Sequence, residues 1–322
     1  MSHPIHEANE NSPYGDLTKE EFYKKHHIFH QQSFMLNNHN MKIFTQSWQP
    51  ADSNPNPNPS PLNGFVGMIH GYTSESSWLF ELNAVAIAKA GFFVCALDLQ
   101  GHGLSQGPHD HISDINPLVQ DCLQFFDSKR ADYRNIPHFM YGESLGAAIA
   151  ILVCLQQRTM RWRGLIVAGA MCEVSNKYKP MWPLEKLLPI AALIAPNWRI
   201  WITRAPTSRS YRERWKRVLV ERSPNRRSCG KPTAGTALQL LRVCDCVREK
   251  CADLDVAMLI LHGGGDVICD PKGARFLYET AASEDKTLRI FEGMWHQLIG
   301  ESNEGAQQVF DTMLEWIQAR TM

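Results

Sequence analysis

Short apolar runs alternate with amphipathic segments along most of this chain of 322 residues. The runs have the length and composition of buried strands, and the segments between them carry the apolar spacing of helices. A predicted hairpin at 27–36 and 41–49 is followed by alternating strands and helices over 65–168 and 257–320. This order predicts an α/β fold, in which a mainly parallel central sheet has helices on both faces.

Residues 171–251 interrupt this alternation with tryptophans, prolines and a basic run, which predicts an inserted, mostly helical cap. Its apolar stretch 181–202 is long enough to suggest a membrane span, but it contains three charged residues and three prolines. We therefore expect a hydrophobic lid or a shallow membrane-docking surface, with simple packing on the core as the alternative. The predicted organisation is a mobile polar arm at 1–22, a core in two parts at 23–170 and 252–322, and the cap at 171–251.

Lysine and arginine balance aspartate and glutamate at 33 each, so the overall charge indicates no nucleic-acid partner. Residues 199–231 nevertheless hold eleven basic and two acidic residues, which we interpret as a solvated face of the cap or a contact with anionic head groups. Nine cysteines and an N-terminus without an apolar stretch predict a cytoplasmic protein with reduced thiols, with peripheral membrane contact through the cap. Cys244, Cys246 and Cys251 lack the paired spacing of a zinc site, so no metal is expected.

Residues 142–146, Gly-Glu-Ser-Leu-Gly, match the pattern G-x-S-x-G. A predicted strand precedes this pattern and a long apolar helix follows it, which is the setting of a nucleophile elbow. In so tight a turn, Gly142 and Gly146 leave room for the crossing backbone, and Ser144 stands at the carboxyl end of the sheet. Ser144 is therefore the predicted nucleophile.

A serine hydroxyl needs a general base, and the base needs an acid that orients it. Asp266 and His296 each follow a predicted strand, and the order Ser144, Asp266, His296 is the one expected for this kind of elbow. Asp270 is an alternative acid, although its place before a proline favours a helix N-cap. His262 is an alternative base, although it directly follows its strand, which is more typical of a core position.

The oxyanion formed during acyl transfer needs two fixed hydrogen-bond donors. The backbone N–H of Leu145, directly after the nucleophile, is the first candidate. The loop after the predicted strand at 65–70 contains Gly71, which permits a sharp turn and makes the N–H of Tyr72 the second candidate. This chemistry requires no metal and no cofactor.

The chain resembles the plant monoacylglycerol lipase-like α/β-hydrolases, a group that includes caffeoylshikimate esterase and lysophospholipase-like members. The resemblance covers nearly the whole chain from about residue 20 and rests on motifs at 43–48, 70–72, 98–107, 142–146, 230–232, 261–263, 277–283 and 294–296. It implies an α/β-hydrolase fold with a cap over the site, and serine esterase activity on monoacylglycerols, lysophospholipids or phenolic esters. The family's triad carries over onto Ser144, Asp266 and His296. Leu145 stands where many members have methionine, which keeps the backbone donor but changes the wall of the acyl pocket.

Several functions are open on this basis. A lipase-type esterase for single-chain acylglycerols or lysophospholipids is favoured by the apolar cap run at 187–200. An esterase for hydroxycinnamoyl esters such as caffeoylshikimate is favoured by aromatic residues near the predicted site, with Tyr72 and Trp295 as candidate substrate contacts. Acyl transfer from Ser144 to an alcohol, or a ligand-binding receptor on the same fold, are the remaining alternatives. In the first three cases the partner is a small-molecule ester.

The residues from His109 to Asp114 match H-x-x-x-x-D, a pattern found in acyltransferases. Histidine and aspartate are common enough that this spacing alone carries little weight. Asp114 is better explained as the N-cap of the helix that follows.

Overall fold

The computed structural model describes residues 1–53, 61–156, 161–177, 179, 184–199, 207–227 and 231–321. Within them, a sheet of eight strands consists of β1 (Ile28–Leu36), β2 (Lys42–Pro50), β3 (Gly64–Ile69), β4 (Phe92–Leu97), β5 (His138–Glu143), β6 (Gly164–Ala168), β7 (Met258–Gly263) and β8 (Lys286–Phe291). The helices of the same residues are α1 (Lys19–Lys25), α2 (Leu79–Lys89), α3 (Asn116–Arg130), α4 (Leu145–Gln156), α5 (Leu184–Ile194), α6 (Thr207–Ser210), α7 (Arg214–Glu221), α8 (Ala234–Lys250), α9 (Pro271–Thr280) and α10 (Asn303–Gln318). The predicted hairpin and the predicted alternation of strands and helices are confirmed.

The strand order in the sheet is β1-β2-β4-β3-β5-β6-β7-β8. The strands from β3 to β8 run parallel to their neighbours, whereas the β1–β2 hairpin is antiparallel and extends the sheet beside β4. The chain moves outward from β3 to β4 and then crosses back over β3 to form β5. Ligand sites of open parallel sheets form at the carboxyl ends of strands beside such a reversal, which here lies between β3 and β5.

Both faces of the sheet are covered, as its composition requires, because every residue of β3, β4, β5 and β7 is buried. One hydrophobic cluster joins the sheet to α3, α4, α8 and α9. The other cluster joins it to α2, α10 and the N-terminal residues.

The arm predicted at residues 1–22 is instead packed against the domain. Ile5 and Phe22 are fully buried, and Lys19 reaches the buried carboxylate of Glu81 in α2 at 3.2 Å. The hydroxyl of Tyr14 donates to the same carboxylate. The prediction was wrong because the few apolar residues of this segment are scattered among polar ones and form no run, although Ile5, Ala8, Tyr14 and Phe22 each fill a place in the core.

The cap helices lie between β6 and β7 in sequence and pack in two places. α5 lies against α8 through a small cluster that includes Leu188 and Ala234, and α8 reaches the main core through Val243 and Val247. The exposed side of α5 is apolar at Leu187, Ile190, Leu193 and Ile194. Parts of the basic run at 199–231, namely 200–206 and 228–230, lie outside the described residues.

Two observations concern the wider expectations from sequence. Over the described ranges, no helix is long and apolar enough to cross a membrane. The eight cysteines in those ranges are free thiols, and Cys229 lies outside them.

Candidate active site

The turn between β5 and α4 brings Ser144 to the carboxyl end of the sheet. Ser144 has a φ of 55°, a left-handed conformation that a residue with a side chain adopts only when its surroundings impose it. The two flanking glycines explain how the turn can close. A Cβ on Gly142 would come within 2.4 Å of the carbonyl oxygen of Gly146, and a Cβ on Gly146 would come within 2.3 Å of the carbonyl oxygen of Ile69.

His296 and Asp266 meet Ser144 from the loops that follow β8 and β7. The Nε2 atom of His296 lies 2.9 Å from the Oγ atom of Ser144. Its Nδ1 atom lies 2.7 Å from the Oδ2 atom of Asp266. All three residues are buried. The sequence places them 122 and 30 residues apart, and the fold brings them into one hydrogen-bonded line.

The carboxylate of Asp266 is fixed by four donors. Its Oδ1 atom accepts the backbone N–H of Ile268 at 2.8 Å and that of Cys269 at 3.0 Å, and its Oδ2 atom accepts from His296 and lies 3.2 Å from Nε2 of His262. Burial acts to raise the pKa of Asp266, but the charge of His296 and the hydrogen bonds from both histidines outweigh it and keep the pKa well below its usual range. Asp266 is therefore suited to remain ionised and to orient an imidazole.

The loop after β3 passes close to the nucleophile. A Cβ on Gly71 would lie 3.1 Å from Cβ of Ser144 and 3.8 Å from its Oγ, so the backbone at this point touches the serine. Tyr72 follows directly, and its hydroxyl donates to the carbonyl of Asp110 at 3.0 Å. Leu145 is the first residue of α4, whose N-terminus faces the same place. The N–H groups of Tyr72 and Leu145 stay the predicted oxyanion donors.

The alternative residues have other roles in the structure. Asp270 caps α9, because its side chain accepts the N–H of Lys272 at 3.0 Å. Asp114 is not the predicted N-cap of α3, because Ile115 holds that position, but its side chain accepts the N–H of Asn116 at 3.0 Å. His262 is a core residue with a fully buried side chain, but it contacts the acid Asp266 and not the nucleophile.

The second half of the cap contacts both loops that frame the site. Trp78, in the loop after β3, donates its indole N–H to the carbonyl of Leu219 in α7 at 2.8 Å. The ammonium group of Lys216, also in α7, donates to the carbonyls of Ile299 at 3.0 Å and Glu301 at 2.6 Å, just beyond His296. The side chain of Trp295, a predicted substrate contact, is half-buried. The backbone N–H of Trp295 donates to the carboxylate of Glu301 at 2.6 Å.

Of three further residues near the site, Gly169 and Glu143 were not singled out from sequence, and His262 was considered only as an alternative base. His262 contacts Asp266, Gly169 lies against His296, and Glu143 is a buried carboxyl beside the nucleophile. A Cβ on Gly169 would come within 2.9 Å of the His296 carbonyl oxygen, so only glycine fits there without a shift. In the sequence, Gly169 is marked only by its place just after β6. Glu143 is marked only by its place inside the elbow.

Comparison with known proteins shows the family to which the chain belongs. The family model described as serine aminopeptidase, S33 (Hydrolase_4) matches residues 60–303. The chain is 31% identical over 310 residues to caffeoylshikimate esterase from Arabidopsis thaliana, which covers 95% of this chain and 91% of that protein. It is 30% identical over 295 residues to human monoglyceride lipase, covering 89% of this chain and 90% of that protein.

The fold is also found among solved structures. A soluble variant of monoglyceride lipase from Saccharomyces cerevisiae, solved with a substrate analogue, aligns with a TM-score of 0.78 over 90% of this chain and 95% of that chain, at 20% identity. A monoacylglycerol lipase from Paleococcus ferrophilus aligns with a TM-score of 0.69 over 81% of this chain and 96% of that one, at 21% identity. The chain therefore belongs to the serine aminopeptidase, S33 family of α/β-hydrolases and is an enzyme of its esterase and monoglyceride lipase group.

Proposed function

We propose that the chain hydrolyses carboxylic esters through an acyl-enzyme on Ser144. The observation that carries this proposal is the line of hydrogen bonds from Ser144 through His296 to Asp266, at 2.9 and 2.7 Å. Such a line lets a histidine remove the serine proton while the carboxylate stabilises the imidazolium that forms. The family assignment agrees with this chemistry, since curated relatives are named as esterases and lipases.

In the first half-reaction, Oγ of Ser144 attacks the ester carbonyl carbon, and Nε2 of His296 takes the hydroxyl proton. The oxyanion of the tetrahedral intermediate accepts hydrogen bonds from the N–H groups of Leu145 and Tyr72. The bond to the alcohol oxygen then breaks, and His296 gives its proton to the leaving alcohol. In the second half-reaction, His296 takes a proton from water as the water attacks the acyl carbonyl, and the carboxylic acid leaves as the proton returns to Ser144.

Labelling with a fluorophosphonate and hydrolysis of a p-nitrophenyl ester test the role of Ser144. In Ser144→Ala we expect no labelling and a fall in hydrolysis by about four orders of magnitude or more. Ser33→Ala, at an exposed serine of β1, is the matched control and should behave as the unaltered protein. Labelling that survives Ser144→Ala would refute the proposal, and a receptor without catalytic activity would leave the unaltered protein unlabelled.

For the substrate we propose single-chain acylglycerols or lysophospholipids, which the enzyme meets at a lipid surface. The relevant feature is the apolar side of α5, where Leu193 and Ile194 are 83% and 78% exposed. Contiguous apolar side chains in water are costly unless they contact a partner, and a helix of this kind can enter the headgroup region of a bilayer. Exposed arginines in the other half of the cap, at Arg209, Arg214 and Arg222, are suited to anionic head groups.

Two measurements test this substrate class. Across monoacylglycerols of increasing chain length, medium and long chains should react faster than acetyl, and equal rates would exclude a lipase.

In sedimentation with anionic phospholipid vesicles, Leu193→Ser should lower the bound fraction several-fold, because an exposed leucine on a docking face contributes about 1–2 kcal/mol. Leu36→Ser, at a leucine of β1 that is 57% exposed, is the control and should leave binding unchanged.

A hydroxycinnamoyl ester is the second candidate substrate. It is favoured by the 31% identity to a caffeoylshikimate esterase and by the aromatic ring of Tyr72 next to the backbone that touches Ser144. Turnover of caffeoylshikimate with no turnover of monoacylglycerols would select it. The opposite result would remove it, and an ester product formed with added alcohol would instead indicate acyl transfer.

A further inference from the structure

One buried carboxyl beside the proposed nucleophile has no role in the proposed mechanism. Glu143 is the last residue of β5, directly before Ser144, and is 6% exposed. Its Oε1 atom accepts the hydroxyl of Tyr141 at 2.5 Å and the amide of Asn83 at 3.2 Å. A carboxyl in such a place either stays neutral at a cost to its hydrogen bonds or carries a charge that acts strongly on its neighbours.

One neighbour of this carboxyl is His296, the base of the proposed mechanism. Glu143 and His296 line the same small cavity, of about 20 Å³, together with Asn83 and Tyr141. The other titratable or charged groups around Glu143 lie on the cap and on the loop after β3, namely Tyr211, Arg226 and Glu75. Among these groups, His296 is the one that gains a positive charge in each half-reaction.

Asn83 is held in place from the N-terminal end of the chain. The Nδ1 atom of His3 accepts the N–H of Ile5 at 3.0 Å, so the ring proton is on Nε2. That atom lies 3.1 Å from Oδ1 of Asn83 and donates to it, which turns the amide nitrogen of Asn83 toward Glu143. Burial lowers the pKa of His3 to about 3, so the ring is neutral near pH 7 and the direction of each hydrogen bond is fixed.

We propose that Glu143 is a positioning residue for His296. In this arrangement the carboxylate of Glu143 stabilises the imidazolium of His296, and His3 keeps this carboxylate in place through Asn83. The inference rests on the proposed function, in which His296 is the base. A negative charge near an imidazole favours its protonated form, and low polarity around the pair strengthens the effect. Burial raises the pKa of Glu143, while the hydrogen bond from Tyr141, the charge of His296 and the hydrogen bond from Asn83 act against that rise.

The first test is the pH profile of kcat/KM in Glu143→Gln, which removes the charge and keeps the shape. Because the imidazolium loses a favourable neighbour, the acidic limb of the profile should move to lower pH by roughly half to one unit, and the plateau should fall up to about tenfold. An acidic limb at the same pH as in the unaltered protein would overturn the proposal. If Glu143→Gln fails to fold, Tyr141→Phe removes the hydrogen bond that favours the ionised form of Glu143, so the carboxyl is neutral over more of the pH range and the limb should move in the same direction. An unmoved limb would again overturn the proposal.

The second test concerns the N-terminal link and uses two histidines on the same turn. His3→Leu should move the acidic limb in the same direction as Glu143→Gln, and His3→Gln, which restores an N–H donor, should reverse the shift. His6→Leu is the control, because His6 is exposed and three residues away. A lower melting temperature in His3→Leu with an unmoved pH profile would show that His3 is merely structural. These outcomes differ from failure of the proposed function, which would appear as full activity in Ser144→Ala.

Discussion

At Asp266, one carboxylate ties together two histidines and a turn of the backbone. Both of its oxygens are occupied, so it cannot rotate without breaking a hydrogen bond to Ile268, Cys269, His262 or His296. Rigidity of this kind matters because the tautomer and the direction of the catalytic imidazole are set by the group at its Nδ1 atom.

Asp266→Asn keeps the size of the side chain and removes its charge. An amide nitrogen at this position can turn toward His296 and reverse the polarity of the hydrogen bond at Nδ1. We expect kcat to fall by about 10³- to 10⁴-fold with fluorophosphonate labelling slowed in parallel. A loss of less than tenfold would show that another group orients His296. Asp270→Asn, at the cap of α9, is the control and should change stability more than kcat.

His262 is the support of Asp266 that can be tested most cleanly. Its Nε2 atom lies 3.2 Å from Asp266 and 3.2 Å from the carbonyl of Cys269, whereas its Nδ1 atom is buried without a hydrogen-bond partner. The ring proton is therefore on Nε2. His262→Leu should lower the free energy of unfolding by about 1–3 kcal/mol, since two buried acceptors lose a donor, and should lower kcat as well.

Replacement of His262 by glutamine, which carries an amide N–H of similar reach, should recover most of both losses. Urea unfolding and steady-state hydrolysis on the two variants make the comparison. Equal behaviour of His262→Leu and His262→Gln would show that the volume of the ring matters and its donor does not.

The meeting of Ser144, Asp266 and His296 could be predicted because each follows a strand and their order along the chain is the one expected for this fold. The supporting residues could not be predicted in this way. Glu143 and His262 have sequence neighbours that suggest a core position, and their partners Asn83 and Asp266 are recognised only when the loops are placed in space.

Among the elements, α6 and α7 form a clamp on the site. They are bound to the loop after β3 through Trp78 and Leu219, and to the loop after β8 through Lys216 and through the N–H of Gln297, which donates to Ser210 at 2.9 Å. The cap was predicted to be a lid or a membrane-docking surface, with simple packing on the core as the alternative. In its second half, α6 and α7 are joined to both loops that carry the predicted catalytic groups, which agrees with packing on the core for that half.

Lys216→Met tests the clamp, because it replaces a fully buried ammonium group by an apolar chain of similar length. Two carbonyl groups lose a charged donor, so the free energy of unfolding should fall by about 2 kcal/mol. The loop after β8 should also loosen, which lowers kcat more than it changes KM. Lys250→Met, at an exposed lysine of α8, is the control. If the two variants match in melting temperature and in kcat, α7 does not hold that loop.

Core strands and helices could be predicted to within a few residues because the strands are short apolar runs, as in β3, and the helices have a periodic apolar face, as in α10. The clamp could not be predicted from the sequence, because α7 is short and rich in arginine and its contacts are hydrogen bonds to loop carbonyls. The N-terminal segment was misjudged for a related reason. Its anchors are single residues whose partners lie in α2 and α10, 80 and 304 residues further along the chain.

At the scale of the whole molecule, the pH dependence of stability is the sum of contributions with opposite signs. Burial lowers the pKa of His3 and of His70 to about 3, and each ring accepts a backbone N–H that protonation would displace. The unfolded chain binds these protons below about pH 6.5, so these groups make the protein less stable as the pH falls from 6.5 toward 3. Burial raises the pKa of Glu75 to about 7, so that group makes the protein more stable as the pH falls from 7 toward 4.5.

The two signs give opposite predictions for two variants. The stability deficit of His3→Gln relative to the unaltered protein should shrink as the pH is lowered from 7 to 5, by about 1.4 kcal/mol per unit below 6.5. The deficit of Glu75→Gln should grow over the same interval. Urea unfolding at three pH values measures both. Parallel curves for His3→Gln and the unaltered protein would show that His3 is protonated as readily in the folded state as in the unfolded one.

The seating of His3 has a practical consequence for anyone who prepares this enzyme. Its main-chain nitrogen binds Gln307 of α10 at 2.7 Å, and the carbonyl of Met1 accepts from the same side chain at 2.9 Å. A purification tag fused to the first residue would begin two positions from a ring that is 1% exposed and linked to the residue before the nucleophile. Kinetic constants should therefore be measured on protein tagged after α10 or freed of its tag by cleavage, and a difference between the two fusions would report on strain at this end of the chain.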